Sequence, residues 1–249
     1  MPISRVFLGF LGLFFMAGSI LLIFLTLLGG ANNSTPLNEI YFFQADTSGI
    51  PGAPPVSRWT FWTVCSVRPD GRNHCGTSHP AFPLDPPGKD NFHTHVNIPH
   101  KFLGHYYLMT RFMFPFILIG LFFAVLSLFT GLLSMCTRIG SYISALFAYI
   151  SLTFQTITTC LMTAAFVEGR RNFHQAHRSA KLGVKAFAFM WTAVACLFLS
   201  CVLYWIGGAV GRKDDGYTGR EQRRRGFFSS ARSNSVKSQK KEREATQYA

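Results

Sequence analysis

Four long stretches of this chain contain no Asp, Glu, Lys or Arg: residues 6–28, 112–136, 141–167 and 186–210. Without a buried acid or base they offer no proton relay and no ion path of the kind that intramembrane ionisable residues mark. Acids are scarce throughout, 11 against 24 Lys and Arg. Those of the long polar segment, Glu39, Asp46, Asp70, Asp85 and Asp90, are scattered without the pairing that acid–base catalysis needs. The chain has no glycine-rich phosphate loop, and it lacks the interrupted helices and internal repeats of a transporter. An enzyme is therefore disfavoured, and no cofactor is expected. A structural or organising membrane protein fits what remains.

The four uncharged stretches read as membrane spans. The first holds 23 residues, or ~34 Å as a helix, against a hydrocarbon core of about 30 Å. A cleaved secretory signal is the competing reading, with Gly29, Gly30 and Ala31 at its end, but its apolar region would be only about 7–15 residues long. A retained span is expected. Pro115 stands near the start of the second span, where a helix tolerates it best. Residues 137–140 are too short to be more than a turn, so spans two and three form an antiparallel hairpin. The third span carries Ser144, Ser151, Gln155, Thr158, Thr159 and Thr163 near helical spacing. That face should turn into the bundle and hydrogen-bond there. Trp191, Tyr204 and Trp205 read as interface anchors of the fourth span. The fold class is an α-helical membrane protein, a four-helix bundle.

Four spans place both termini on one side. After residue 210, eleven Lys/Arg stand against five Asp/Glu, including Arg223, Arg224 and Arg225. The formal charge of +13 would suit nucleic acid in a soluble protein. Beside an apolar span it suits anionic lipid instead, and a cytoplasmic tail. The expected layout is a cytoplasmic 1–5, an extracellular loop 29–111, the cytoplasmic turn 137–140, a second extracellular loop 168–185 and a disordered basic cytoplasmic tail 211–249. The second loop opposes this layout, since it carries Arg170, Arg171, Arg178, Lys181 and Lys185 against Glu168. Contact with outer-leaflet headgroups, or with acids of the large loop, would account for that excess.

The large loop is where the sequence is most distinctive. Trp59 and Trp62 precede Cys65, and Cys75 follows ten positions on. The other cysteines, Cys136, Cys160, Cys196 and Cys201, lie in apolar stretches, and Cys136 at the end of span two is a palmitoylation candidate. Pro69, Asp70 and Gly71 form a turn signal between the loop cysteines. A disulfide closing this loop would contribute roughly 2–3 kcal/mol in the chain-entropy account. Two free thiols, or metal ligation with His74, are the alternatives. Asn32 and Asn33 open overlapping glycosylation sequons, although Pro36 and the nearby membrane disfavour their use. Alternation over 57–67 favours short strands, with turns at Ser48-Gly49, Pro51-Gly52 and Asp70-Gly71. His74, His79, His93, His95, His100 and His105 crowd the same loop. His93 and His95 would share a strand face, but no carboxylate or cysteine completes a metal set. They read as solvated surface residues, with pH sensing as the functional alternative.

With Trp59, Trp62, Cys65 and Cys75 in the first loop of a four-span chain, the sequence resembles the claudin-like superfamily. Phe61 stands where those proteins usually have leucine. The run from Gln44 through Gly49, Pro51, Gly52 and Pro54, followed by Arg58-Trp59-Thr60, is similar to the fungal SUR-seven/PalI family, and within it to the eisosome-associated branch. The resemblance implies a small β-sheet in the loop and a plasma-membrane protein of stable eisosome-type cortical patches. It implies a part in organising those domains, with effects on cell wall, endocytosis and stress or sporulation. Eisosome core BAR-domain proteins would be indirect partners, and a homo-oligomer is compatible with it. The PalI branch implies instead a component of ambient-pH sensing. In the tail, Arg223 to Arg225 beside Phe227 and Phe228 suit phosphoinositide headgroups, each cation contributing on the order of 1 kcal/mol near an anionic surface. Phosphorylation at Ser229, Ser230, Ser233 or Ser235 would weaken that attraction.

Overall fold

The computed structural model describes residues 2–32, 34–48, 52–77, 79–82, 103–134, 137–175 and 177–209. Four helices dominate: α1 (Pro2–Leu28), α2 (Leu103–Ser134), α3 (Arg138–Gln175) and α4 (Val184–Ala209). All four are long and apolar enough to cross a membrane. Between α1 and α2 lie β1 (Phe43–Asp46), β2 (Val56–Trp59), β3 (Val64–Val67) and β4 (Asn73–Cys75), and between α3 and α4 lies β5 (Ala180–Leu182). The strands form one antiparallel sheet in the order β4-β3-β2-β1-β5.

The helices close into an antiparallel ring, and contacts fix the register at three of its seams. Between α2 and α3, the Phe116 and Phe123 rings meet those of Phe154 and Phe147 at 5.9 and 6.1 Å. Between them the Ser151 hydroxyl donates to the Gly120 carbonyl, and that of Ser127 to Ser144. Serines 19 and 200 join α1 to α4 by donating to the carbonyls of Ala193 and Gly12. Ser141 and Cys201 do the same between α3 and α4, at the carbonyls of Tyr204 and Ala145. A serine is small enough to let two backbones approach while satisfying its own hydroxyl, which suits an environment without water.

The polar face of α3 is therefore turned inward, with Ser144, Ser151, Gln155, Thr158 and Thr159 fully buried. Its hydroxyls act in two ways: that of Ser151 crosses to α2, whereas that of Ser144 turns back to the Gly140 carbonyl. Thr158, Thr159 and Thr163 donate to carbonyls four residues back in their own helix, which silences the hydroxyl without linking helices. Gln155 reaches α4, its Nε2 donating to the Met190 sulfur at 3.4 Å.

Tyr204 and Pro115 depart from the sequence expectation. Tyr204 is not an interface anchor: it is 1% exposed, whereas Trp205 is 52% exposed. Its ring lies where side chains on Gly12 and Gly131 would stand, so the two glycines create the slot that draws it inward. Pro115 is inside its helix, because α2 begins at Leu103.

The longest helix also projects furthest. At 38 residues, α3 spans ~57 Å, well beyond a hydrocarbon core of about 30 Å. Its last turns, through the sequence Glu168 to Gln175, stay helical where the composition had read as loop. That projecting end is what receives the sheet.

Gly131→Ala places a methyl against Tyr204 and Leu13, whereas one on Gly18 meets nothing within 4 Å. In thermal melts of the detergent-solubilised protein, Gly131→Ala is expected to cost about 1–3 kcal/mol by overpacking. Gly18→Ala should be neutral or slightly stabilising.

Candidate functional site

Side chains alternate across a strand, so neighbours on β2 serve opposite faces. Trp59 points to the bundle and is 1% exposed. Its indole packs on Phe43 of β1 at 5.4 Å and on Phe173 of the projecting α3 at 6.4 Å. Phe42 stacks on Phe166 of the same helix at 5.5 Å and meets Phe61 edge-on at 4.4 Å. Such pairs add about 0.5–1.5 kcal/mol each beyond the area they bury. Trp62, in the turn between β2 and β3, donates its indole N–H to the Leu27 carbonyl at 2.6 Å and packs edge-on against Phe114 of α2. A carbonyl in the last turn of α1 is thereby satisfied, one of the groups a helix end leaves open. The two tryptophans divide the labour: one seats the sheet on α3, the other ties it to α1 and α2.

Cys65 and Cys75 form a disulfide between directly paired residues of β3 and β4. The bridge removes both thiols as metal ligands, and His74 meets the Arg68 guanidinium at 2.9 Å. Metal ligation by this set is thus overturned. Gly52 holds a left-handed turn at φ 81°, and Asn32 is exposed just beyond α1.

The basic second loop finds its partners in the first. β5 pairs with β1, from Phe43 opposite Leu182 to Ala45 opposite Ala180. Gly183 donates its N–H to the Phe42 carbonyl at 2.9 Å, and any side chain there would collide with the Tyr41 carbonyl. Arg178 donates to the Ser48 carbonyl at 2.7 Å. Lys185 forms an ion pair with Glu39, and that hydrogen bond and charge hold the Glu39 carboxyl below its usual range. A hydrogen-bonded turn from Ser48 lowers Asp46 likewise. Two of the five cations in residues 168–185, Arg178 and Lys185, therefore answer carbonyls and an acid of the large loop.

On the face away from the bundle, Arg58 gathers four segments. Its guanidinium donates to Gln44 of β1 at 2.8 Å, to Asn73 of β4 at 2.9 Å and to the Gly71 carbonyl at 2.7 Å. It also lies 4.2 Å from the Tyr41 ring centroid, within cation–π range. Beside it opens a cleft of ≈ 470 Å³ lined by Glu39, Tyr41, Arg58, Asp70, Gly71, Arg72, Gly183, Val184 and Lys185. Sequence reasoning quoted Arg58 but assigned it no role, and missed Tyr41 and Phe173. An arginine beside a tryptophan on an alternating strand was the available signal for a polar hub behind an apolar one.

Several sequence candidates lie outside the described residues: Gly49, Pro51, Asn33, Cys136, His93, His95, His100, Arg223, Arg224, Arg225, Ser229, Ser230, Ser233 and Ser235.

A family model described as SUR7/PalI family matches residues 8–203, which takes in the sheet, its disulfide and most of all four helices. The chain is 33% identical over 199 residues to Protein SUR7 of Saccharomyces cerevisiae, covering 78% of this chain and 65% of that protein's length. It is 35% identical to Protein SUR7 of Candida albicans, over 80% of this chain and 73% of the other. It is 32% identical to a Saccharomyces cerevisiae protein described as an uncharacterized plasma membrane protein, over 84% and 71% of the two chains.

Cys65→Ser should abolish the mobility difference between reducing and non-reducing gels and lower stability by about 2–3 kcal/mol. An unchanged melting curve would show that pairing with β3 and the Asn73 hydrogen bonds hold β4 without the bridge. Because the folded Glu39 carboxyl is lowered, its contribution is complete above the ordinary carboxylate range and is lost as pH falls through the folded value. Lys185→Gln should therefore remove part of the acid dependence of stability, read in melts across an acidic pH series.

Proposed function

The chain belongs to the SUR7/PalI family, and we propose that it is a non-enzymatic plasma-membrane protein that organises stable, eisosome-type membrane domains. The observation that carries this reading is the family match over residues 8–203, the sheet and most of all four helices. The build supports it: five strands drawn from both loops are fastened to three helix ends by Trp59, Trp62 and the Lys185–Glu39 pair. A protein made this way offers its neighbours a fixed surface rather than a moving one, as a long-lived lateral assembly requires.

In this reading the sheet faces the cell exterior, where an oxidising environment maintains the Cys65–Cys75 bridge, and both termini are cytoplasmic. The basic tail, with Arg223 to Arg225, engages anionic lipids including phosphoinositides, and core BAR-domain proteins of the patch are met indirectly through that lipid. Association of like chains is compatible with this reading. Effects on cell wall, endocytosis and stress or sporulation follow from the patch rather than from chemistry of this chain.

A C-terminally tagged full chain, imaged in its host, should form cortical patches that recover little after bleaching. A diffuse, fast-recovering surface signal would overturn the domain-organising reading and favour the PalI-type role in ambient-pH signalling.

A further inference from the structure

The cleft beside Arg58 lies next to the Lys185–Glu39 pair that helps fasten the sheet, and its position says what could enter it. Val184 on its rim begins the apolar run of α4 and is 77% exposed. Ile40, next to Tyr41, sits against Gly29 just past the end of α1. The cleft therefore opens at the level where the apolar helices end, the depth of lipid headgroups.

Its charge is as specific as its depth. Three cations, Arg58, Arg72 and Lys185, face two carboxylates, Glu39 and Asp70, which leaves a surplus of one positive charge. Arg58 is engaged by Gln44, Gly71 and Asn73, and Lys185 by Glu39. Arg72 differs. The Asp70 carboxylate accepts its backbone N–H at 3.0 Å, fixing the turn, while its guanidinium makes no hydrogen bond or ion pair among the described residues. A guanidinium presents two parallel donors that match phosphate oxygens. The volume, ≈ 470 Å³, is within the range of small-ligand sites.

We propose that this cleft binds the phosphodiester headgroup of an anionic lipid in the leaflet on the sheet side. Arg72 and Lys185 take the phosphate, whose single negative charge matches the surplus. Asp70 and Glu39 accept hydrogen bonds from headgroup hydroxyls, so a polyol such as inositol is preferred to choline. The acyl chains leave past Val184 along α4. This site lies at the Val184 end of α4, the helix whose other end is Ala209, and it stands apart from the domain-organising reading above.

The test uses the full chain in an uncharged detergent, titrated with water-soluble dihexanoyl phosphatidylinositol and followed by calorimetry. Dihexanoyl phosphatidylcholine, inorganic phosphate and a short soluble glucan are titrated in parallel. Saturable binding of the inositol lipid is expected, weakened about tenfold in Arg72→Gln, the effect of one lost charge-assisted hydrogen bond. Arg72 is exposed in a turn, so this variant should melt as wild type. The triple change of Arg223, Arg224 and Arg225 to Ala should leave the binding intact. Equal binding by Arg72→Gln, or loss only in the tail variant, would overturn the proposal. So would inorganic phosphate binding as tightly as the lipid, which would mark a free-anion site, or the glucan binding in place of the lipid. None of these outcomes would alter the patch pattern in cells, so the two readings fail separately.

Discussion

Trp59 is where the sheet and the bundle become one body. A five-stranded sheet of three- and four-residue strands has little cohesion of its own, since short strands need a packed face to be stable. That face is supplied by one helix running past the membrane, whose Phe166 and Phe173 meet Phe42, Phe43 and Trp59. The length of α3 is thus a structural requirement rather than an accident of composition. Shorten it to the span of a bilayer and the sheet loses its platform.

Within the membrane the organising force changes. Apolar surfaces gain little from meeting each other where lipid is equally apolar, so close packing and buried hydrogen bonds decide the register. Serines perform this at the seams of α1, α2, α3 and α4, while glycines 12 and 131 make room for Tyr204. The bundle is specified by its small residues, and the large apolar ones that remain exposed, such as Phe7, Phe14, Phe122 and Phe129, are left for lipid.

The charge pattern follows the same division between element and assembly. Taken by linear order, the five cations of residues 168–185 oppose the positive-inside tendency. In space, two of them are partnered by the first loop, through Glu39 and the Ser48 carbonyl. A positive-inside count treats loops as independent solvated segments. Here the two loops fold into one sheet, so part of the second loop's charge is already answered before any membrane is considered.

The chain's own residues determined the four spans, since only long uncharged runs can cross a bilayer, and the stapled loop, since Cys65 and Cys75 alone among the cysteines sit in a polar segment. They also marked the inward face of α3, because its polar side chains recur at helical spacing. The strands of the large loop were legible from alternation and turn residues. β5 was not: three residues, Ala180 to Leu182, carry no periodic signal, and they become a strand only because β1 offers an unpaired edge. Tyr204 could not be placed either, since an aromatic near a helix end fits an interface as well as a slot, and the slot is made by glycines on two other helices. Arg58 and its cleft depend on four segments meeting at one guanidinium. Local pattern reports what a segment can be; which partner it meets is decided by contacts distant in sequence, and those exist only once the chain has folded.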